Sequence, residues 1–127
     1  MKTGSCLCGA VKFEIEGDLR PVLACHCWQC RKQTGSYMSA TAAADKDLRM
    51  TETRGLKWFR SSPEAQRGFC CECGSVLFWK ADGTDSTSIT AGSIDGKTDT
   101  RFEGHIFLSQ AGDYYEVSGP GYRKDRW

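Results

Sequence analysis

The chain's eight cysteines sit in three short segments: Cys6-Leu-Cys8, Cys25-His-Cys27-Trp-Gln-Cys30, and Cys70-Cys71-Glu-Cys73. Two thiolates one or two residues apart can share one tight turn, and that spacing suits a tetrahedral, sulfur-loving metal such as zinc. The pairs Cys6/Cys8 and Cys70/Cys73 could together make one closed four-thiolate zinc site. It would tie the N-terminal segment to the middle of the chain and contribute folding free energy by closing a long loop. Gly9 and Gly74 each follow a pair, where a residue free to take positive φ lets the backbone turn its amides back toward the sulfurs.

The segment Cys25-x-Cys27-x-x-Cys30 differs. It offers three local thiolates and no obvious fourth, the pattern of a reactive zinc with one open position. His26 lies between two of the ligands and should point away from their metal, as a hydrogen-bonded structural group. Cys71 is the eighth thiol: either a spectator or the fourth ligand that would close the second site. If the site is open, zinc on three thiolates carries net charge −1 and activates water weakly. Such a zinc suits binding an external thiol as its thiolate. The implied chemistry is thiol addition to a carbonyl, or the reverse cleavage of a carbon–sulfur bond.

Two other readings use the same residues. Cys27-Trp-Gln-Cys30 has the spacing of a thioredoxin-like redox pair, but that motif should follow a strand and open a long helix in an α/β unit, and no such pattern surrounds it. The alternative to an enzyme is a non-catalytic, zinc-stabilised protein-binding module whose cysteines are all structural. Near the clusters, Arg31, Lys32 and Arg67 offset the negative thiolates as partly solvated cations, or one of them holds a substrate carboxylate. Trp28, Tyr37, Trp58 and Trp79 are expected as core or rim aromatics. Arg123, Lys124 and Arg126 beside Trp127 read as a solvated basic end.

The elements that must position these groups are short. Val11, Phe13 and Ile15 alternate with Lys12, Glu14 and Glu16, which predicts a half-buried strand over 10–16. Further strands are expected over 37–44, 56–59, 75–80, 87–91 and 105–108, with a short apolar run, 21–25, leading into the second cluster. A helical turn or two is expected over 27–34, stopped by Gly35. Residues 92–101 read as a polar loop and 119–127 as an aperiodic tail. Fourteen glycines and no long helical pattern indicate a mainly β chain. At 127 residues, residues 1–127 are expected to form a single zinc domain. Its hydrophobic share of 39% and mean hydropathy of −0.48 suggest a lean core that benefits from metal staples. Net charge +1 provides no field for a polyanion, so no nucleic acid is expected as partner. No apolar run approaches the roughly 20 residues that span a bilayer, and Met1-Lys-Thr-Gly-Ser leads straight into Cys6, so the expected location is cytoplasmic and off the membrane, where clustered cysteines favour metal over disulfides.

Three blocks in order, Gly4-Ser-Cys-Leu-Cys-Gly-Ala-Val-Lys-Phe13, then Cys25-His-Cys-Trp-Gln-Cys-Arg31 with Gly35, and Arg67-Gly-Phe-Cys-Cys-Glu-Cys-Gly-Ser75, resemble the glutathione-dependent formaldehyde-activating enzyme family, which includes the centromere protein V relatives. Ala91-Gly-Ser-Ile-Asp95 and His105-Ile-Phe107 look like its later blocks. The resemblance implies a β-tent of antiparallel sheets with two zincs. It implies a structural zinc on Cys6, Cys8, Cys70 and Cys73 and a catalytic zinc on Cys25, Cys27 and Cys30. The implied activity joins a thiol, glutathione in the family, to formaldehyde as a carbon–sulfur lyase acting on small molecules. Where the family enzyme continues Ser-Lys-Ala-Pro-Trp, this chain reads Ser109-Gln-Ala-Gly-Asp-Tyr-Tyr115.

Overall fold

A computed structural model describes all residues, 1–127. In chain order its elements are β1 (Lys2–Ser5), β2 (Lys12–Ile15), β3 (Val22–Cys25), α1 (Trp28–Thr34), β4 (Met38–Ala44), β5 (Leu48–Glu52), β6 (Leu56–Arg60), β7 (Ala65–Cys70), β8 (Val76–Ala81), β9 (Ser86–Thr90), β10 (Phe102–Ile106) and β11 (Tyr122–Arg123). Short 3-10 turns lie at Asp45–Asp47, Ala91–Ser93 and Leu108–Gln110. No helix is long and apolar enough to cross a membrane.

The strands form two sheets. One has three strands in the order β1-β2-β5; the other has eight in the order β11-β10-β3-β4-β9-β8-β7-β6. The expected mainly β architecture is present, with one amendment to the antiparallel reading: β10 pairs parallel with both β3 and β11. The long connection from β3 to β10 makes that pairing possible, since parallel neighbours need a crossover rather than a hairpin.

The two sheets share one core. Alternation along β2 turns Phe13 and Ile15 inward, with Val11 just ahead of the strand, and these meet Leu77, Phe78 and Ile89 of the larger sheet. Phe13 and Phe78 pack edge to face with centroids 5.3 Å apart. Such a pair contributes about 0.5–1.5 kcal/mol beyond its buried area. On the outer face of the small sheet, Glu14 and Arg49 are register partners across β2 and β5 and form an ion pair.

Most expected strands appear with ends shifted by a few residues. The strands β1, β5, β7 and β11 are not legible in the pattern. Three of them are two to five residues long, too short for period-2 alternation to rise above chance, and in β7 (six residues) the buried Arg67 and the register shift at Gly68/Phe69 break the alternation. The tail departs most from expectation in its backbone. Its side chains from Arg123 to Trp127 are exposed, as expected of a solvated end, but its backbone folds back along β10: the Lys124 amide donates to the His105 carbonyl at 3.0 Å, and the Phe107 amide donates to the Arg126 carbonyl at 3.2 Å.

Candidate metal centres and the cleft between sheet and helix

Cys6 and Cys8 follow β1, Cys70 ends β7, and Cys73 lies in the turn before β8. The fold brings their four sulfurs within 4.8 Å of one another. Cys6 and Cys8 sulfurs are 3.7 Å apart and Cys8 and Cys70 sulfurs 3.8 Å apart. Disulfides require about 2.05 Å. Four thiolates at about 2.3 Å from a tetrahedral zinc lie roughly 3.8 Å from each other, so the donor set and its spacing fit such an ion. Gly9 and Gly74 have φ of 85° and 80°, the left-handed turns anticipated after each pair. The Val11 amide lies 3.2 Å from the Cys6 sulfur. The Ser75 hydroxyl and amide, then the Cys8 amide, bring the Cys73 thiol down to about 5. Cys71 is exposed and belongs to neither cluster.

The second cluster holds Cys25, Cys27 and Cys30, whose sulfurs also lie within 4.8 Å of one another. Cys25 ends β3. Cys27 is the N-cap of α1, and its sulfur accepts from the Cys30 amide at 3.4 Å. Gly35, at φ 101°, closes the helix by donating its amide to the Arg31 carbonyl. The cap and the glycine explain why this helix has only two turns. Hydrogen bonds from Cys25 and then Cys30 hold the Cys27 thiol down to about 2, while the same contacts push Cys25 up. No fourth Cys, His, Asp or Glu atom joins the three.

Arg67, on β7, is 5% exposed, not partly solvated as expected. Both terminal nitrogens lie 3.6 Å from the Cys30 sulfur. They also donate to the side-chain oxygens of Gln33 at 2.9 Å and Gln29 at 3.2 Å. Arg31 and Lys32 occupy the last turn of α1, where cations complement the helix C-terminus.

His26 is fully buried and turned away from the three sulfurs. Its Nδ1 lies 2.7 Å from the Tyr115 hydroxyl and its Nε2 lies 3.0 Å from His105 Nδ1. Because the Tyr115 hydroxyl donates to the Ser36 carbonyl at 3.1 Å, it must accept from His26 Nδ1–H. His26 Nε2 then accepts from His105 Nδ1–H, and buried His105 Nε2 is left as an unpaired acceptor. Both imidazoles are neutral in this arrangement. Burial, then the neighbouring His105, lowers the basicity of His26; burial, then Arg123, lowers that of His105.

The three cysteines open into a cleft of about 460 Å³ between α1 and the larger sheet. Leu23, Met38, Trp28, Trp79, Ile106 and Trp127 are among the apolar residues that line it, and Arg20 and Arg67 also line it. Trp28 and Trp79 therefore face the cleft, whereas Trp58 stacks on Phe78 with centroids 5.9 Å apart and lies outside it. Tyr37 packs on the His26 ring, with centroids 4.8 Å apart. Sequence reading missed Arg20 and Trp127, which reach the cleft only through sheet pairing and the returning tail. Gln110, at the position of the family lysine, accepts from the Trp28 amide at 3.0 Å and so fastens the 3-10 turn to the start of α1.

A family model described as glutathione-dependent formaldehyde-activating enzyme matches residues 1–110. An uncharacterized lyase of Schizosaccharomyces pombe is 26% identical over 116 residues, which cover 91% of this chain and 84% of that protein. The crystal structure of a Rhodobacter sphaeroides protein superposes with a TM-score of 0.60 at 26% identity, covering 76% of this chain and 91% of the other.

Proposed function

The chain belongs to the glutathione-dependent formaldehyde-activating enzyme family, and we propose that it is a zinc-dependent carbon–sulfur lyase-type enzyme, joining a small thiol to formaldehyde or a related carbonyl, or running the reverse. In this reading residues 1–127 act as one unit. Cys6, Cys8, Cys70 and Cys73 hold a structural zinc, and Cys25, Cys27 and Cys30 hold a catalytic one. The observation that carries it is the contrast between the clusters: four sulfurs in one, three at the floor of a cleft in the other. The similarity to a protein named as a lyase supports the reaction class.

Zinc, if held by Cys25, Cys27 and Cys30, would supply a soft acceptor that favours an external thiol as its thiolate. The chain's own residues then divide the work. Cys27, held at the helix N-cap, keeps its sulfur in the acceptor form. The Arg67 guanidinium, backed by Gln29 and Gln33, offsets the negative charge that three thiolates accumulate. In the overall reaction the thiol sulfur bonds to the carbonyl carbon, the carbonyl π pair moves to oxygen, and the proton that left sulfur ends on that oxygen. The product is a hemithioacetal, and no oxidant or reductant is needed.

The test combines metal analysis with a thiol panel. The purified protein should hold two zinc equivalents. Mild chelation should remove one while the β-sheet circular dichroism persists. The zinc-loaded protein should form hemithioacetal from formaldehyde and at least one thiol faster than the reagents alone, and Cys27→Ser should abolish that excess without unfolding. A protein that binds no thiol, with all its zinc lost only on unfolding, would instead be the non-catalytic protein-binding module.

A further inference from the structure

The charge pattern of the cleft restricts what can occupy it. Its lining includes two cations, Arg20 and Arg67, and no Asp or Glu. Arg67 is engaged with the Cys30 sulfur and two glutamine side chains. Arg20 is not engaged with any carboxylate: its contacts are carbonyl oxygens, Nη2 to Ala40 at 3.0 Å and Nε to Pro21 at 3.3 Å. Its backbone is fixed, since its amide donates to the Ala42 carbonyl at 2.9 Å and its carbonyl accepts from the Thr41 hydroxyl at 2.5 Å. Burial pulls the Arg20 guanidinium below its usual range, and the nearby Glu103 carboxylate, which does not hydrogen-bond it, offsets this only in part. A partly desolvated cation with no carboxylate hydrogen-bonded to it keeps a cost that a ligand carboxylate would reduce.

Strand register places Arg20 relative to the three cysteines. Ala40, whose carbonyl holds the guanidinium, is paired with Leu23, and Met38 is paired with Cys25. The guanidinium therefore sits two residues along β4 from the level of Cys25, about 7 Å at roughly 3.3 Å per residue. Leu23, Ala40, Met38 and Trp79 line the cleft between them. It has a sulfur site at one end, a cation at the other, and an apolar span between.

We infer that the thiol taken by this cleft is a monocarboxylate with an apolar body, its sulfur at Cys25, Cys27 and Cys30 and its carboxylate on Arg20. The inference rests on the proposed thiol chemistry and narrows its substrate. Glutathione matches the cleft less well. Its ammonium group would meet two cations and no Asp or Glu in the lining, and a buried charge without a carboxylate partner opposes binding.

Quenching of the fluorescence of Trp28, Trp79 and Trp127 in the zinc-loaded protein provides a binding readout independent of turnover. Mercaptohexanoate should bind about tenfold or more tighter than mercaptohexanol, the gain expected of a hydrogen bond to a charged group. It should also bind more tightly than glutathione. Arg20→Gln should erase the preference for the acid while leaving mercaptohexanol affinity unchanged, and Arg20→Lys should keep part of it. Hexanoate, which lacks a thiol, should compete with mercaptohexanoate in wild type and not in Arg20→Gln. Equal affinity for acid and alcohol in wild type, or an acid preference that survives Arg20→Gln, overturns the inference. Failure of the thiol chemistry looks different: Cys27→Ser would then leave mercaptohexanol affinity unaltered, while hexanoate still reports on Arg20.

Discussion

Arg67 directs both terminal guanidinium nitrogens at one sulfur, that of Cys30, each at 3.6 Å. A buried cation at that position lowers the cost of collecting three thiolates in one place. Its forked shape lets it reach Gln29 and Gln33 at the same time, which a lysine could not reproduce. Arg67→Gln is expected to weaken metal binding at the three-cysteine site by about 10- to 100-fold, the usual effect of removing a group that supports metal ligands. Arg67→Lys should lose less. Competition with a chromophoric chelator measures both, and the four-cysteine site should be unaffected. Equal affinities in all three proteins would show that the guanidinium does not act on the sulfurs.

The four-cysteine cluster joins the turn after β1 to the turn between β7 and β8, more than sixty residues apart in sequence. Cys73→Ser should therefore cost one zinc equivalent and lower Tm by roughly 10 °C or more, because metal bound by a folded site is folding free energy. Cys71→Ser, two residues away and exposed, should keep both metals and change stability by no more than about 0.5 kcal/mol. Calorimetry together with elemental analysis of the two proteins decides the matter. Similar behaviour of the pair would remove Cys73 from the site.

Gly55 leaves no room for a side chain beside this cluster. A Cβ there would lie 2.8 Å from the Cys70 sulfur and 2.8 Å from the Ala10 Cβ. Neither neighbour can retreat: Cys70 is at the cluster, and Ala10 is fully buried, its carbonyl accepting from the Gly55 amide at 2.9 Å. Gly55→Ala should destabilise the protein by about 1–3 kcal/mol through overpacking, read from denaturant unfolding. An unchanged midpoint would mean that this region yields more readily than its packing implies.

Buried His26 and His105 are neutral and bind protons less readily than ordinary imidazoles. In the unfolded chain each takes up a proton near pH 6.5; in the folded chain this happens only at lower pH. Between those values the unfolded state holds more protons, so stability is full above about pH 6.5 and declines as pH falls below it. The side chains facing the pair include the Tyr115 hydroxyl and the Tyr37 ring on His26 and Arg123 near His105, and none of these three pairs an added positive charge with a carboxylate. His105→Gln should flatten the dependence between pH 7 and pH 5.5 in chemical denaturation (about those limits bracket the ordinary value). An identical slope in the variant would place the titration elsewhere.

The sequence alone determined the two sulfur centres and the mainly β architecture. Metal-ligand spacing is a local property: Cys25-x-Cys27-x-x-Cys30 must share one turn whatever surrounds it, and Gly35 ends the helix that carries two of those sulfurs. Alternation at Val11, Phe13 and Ile15 likewise reveals a buried strand face, because side-chain direction in a strand is set residue by residue. Only the tertiary structure decided what surrounds the three sulfurs. Arg67 is 37 residues from Cys30 and becomes its neighbour through the order of strands in the larger sheet. Arg20 is aligned by the register of β3 on β4, and Trp127 is brought to the cleft by a tail whose composition reads as solvated. Such contacts depend on which strand edges pair and where the crossovers run. Those choices follow from burial summed over the whole chain, and no local segment records that sum.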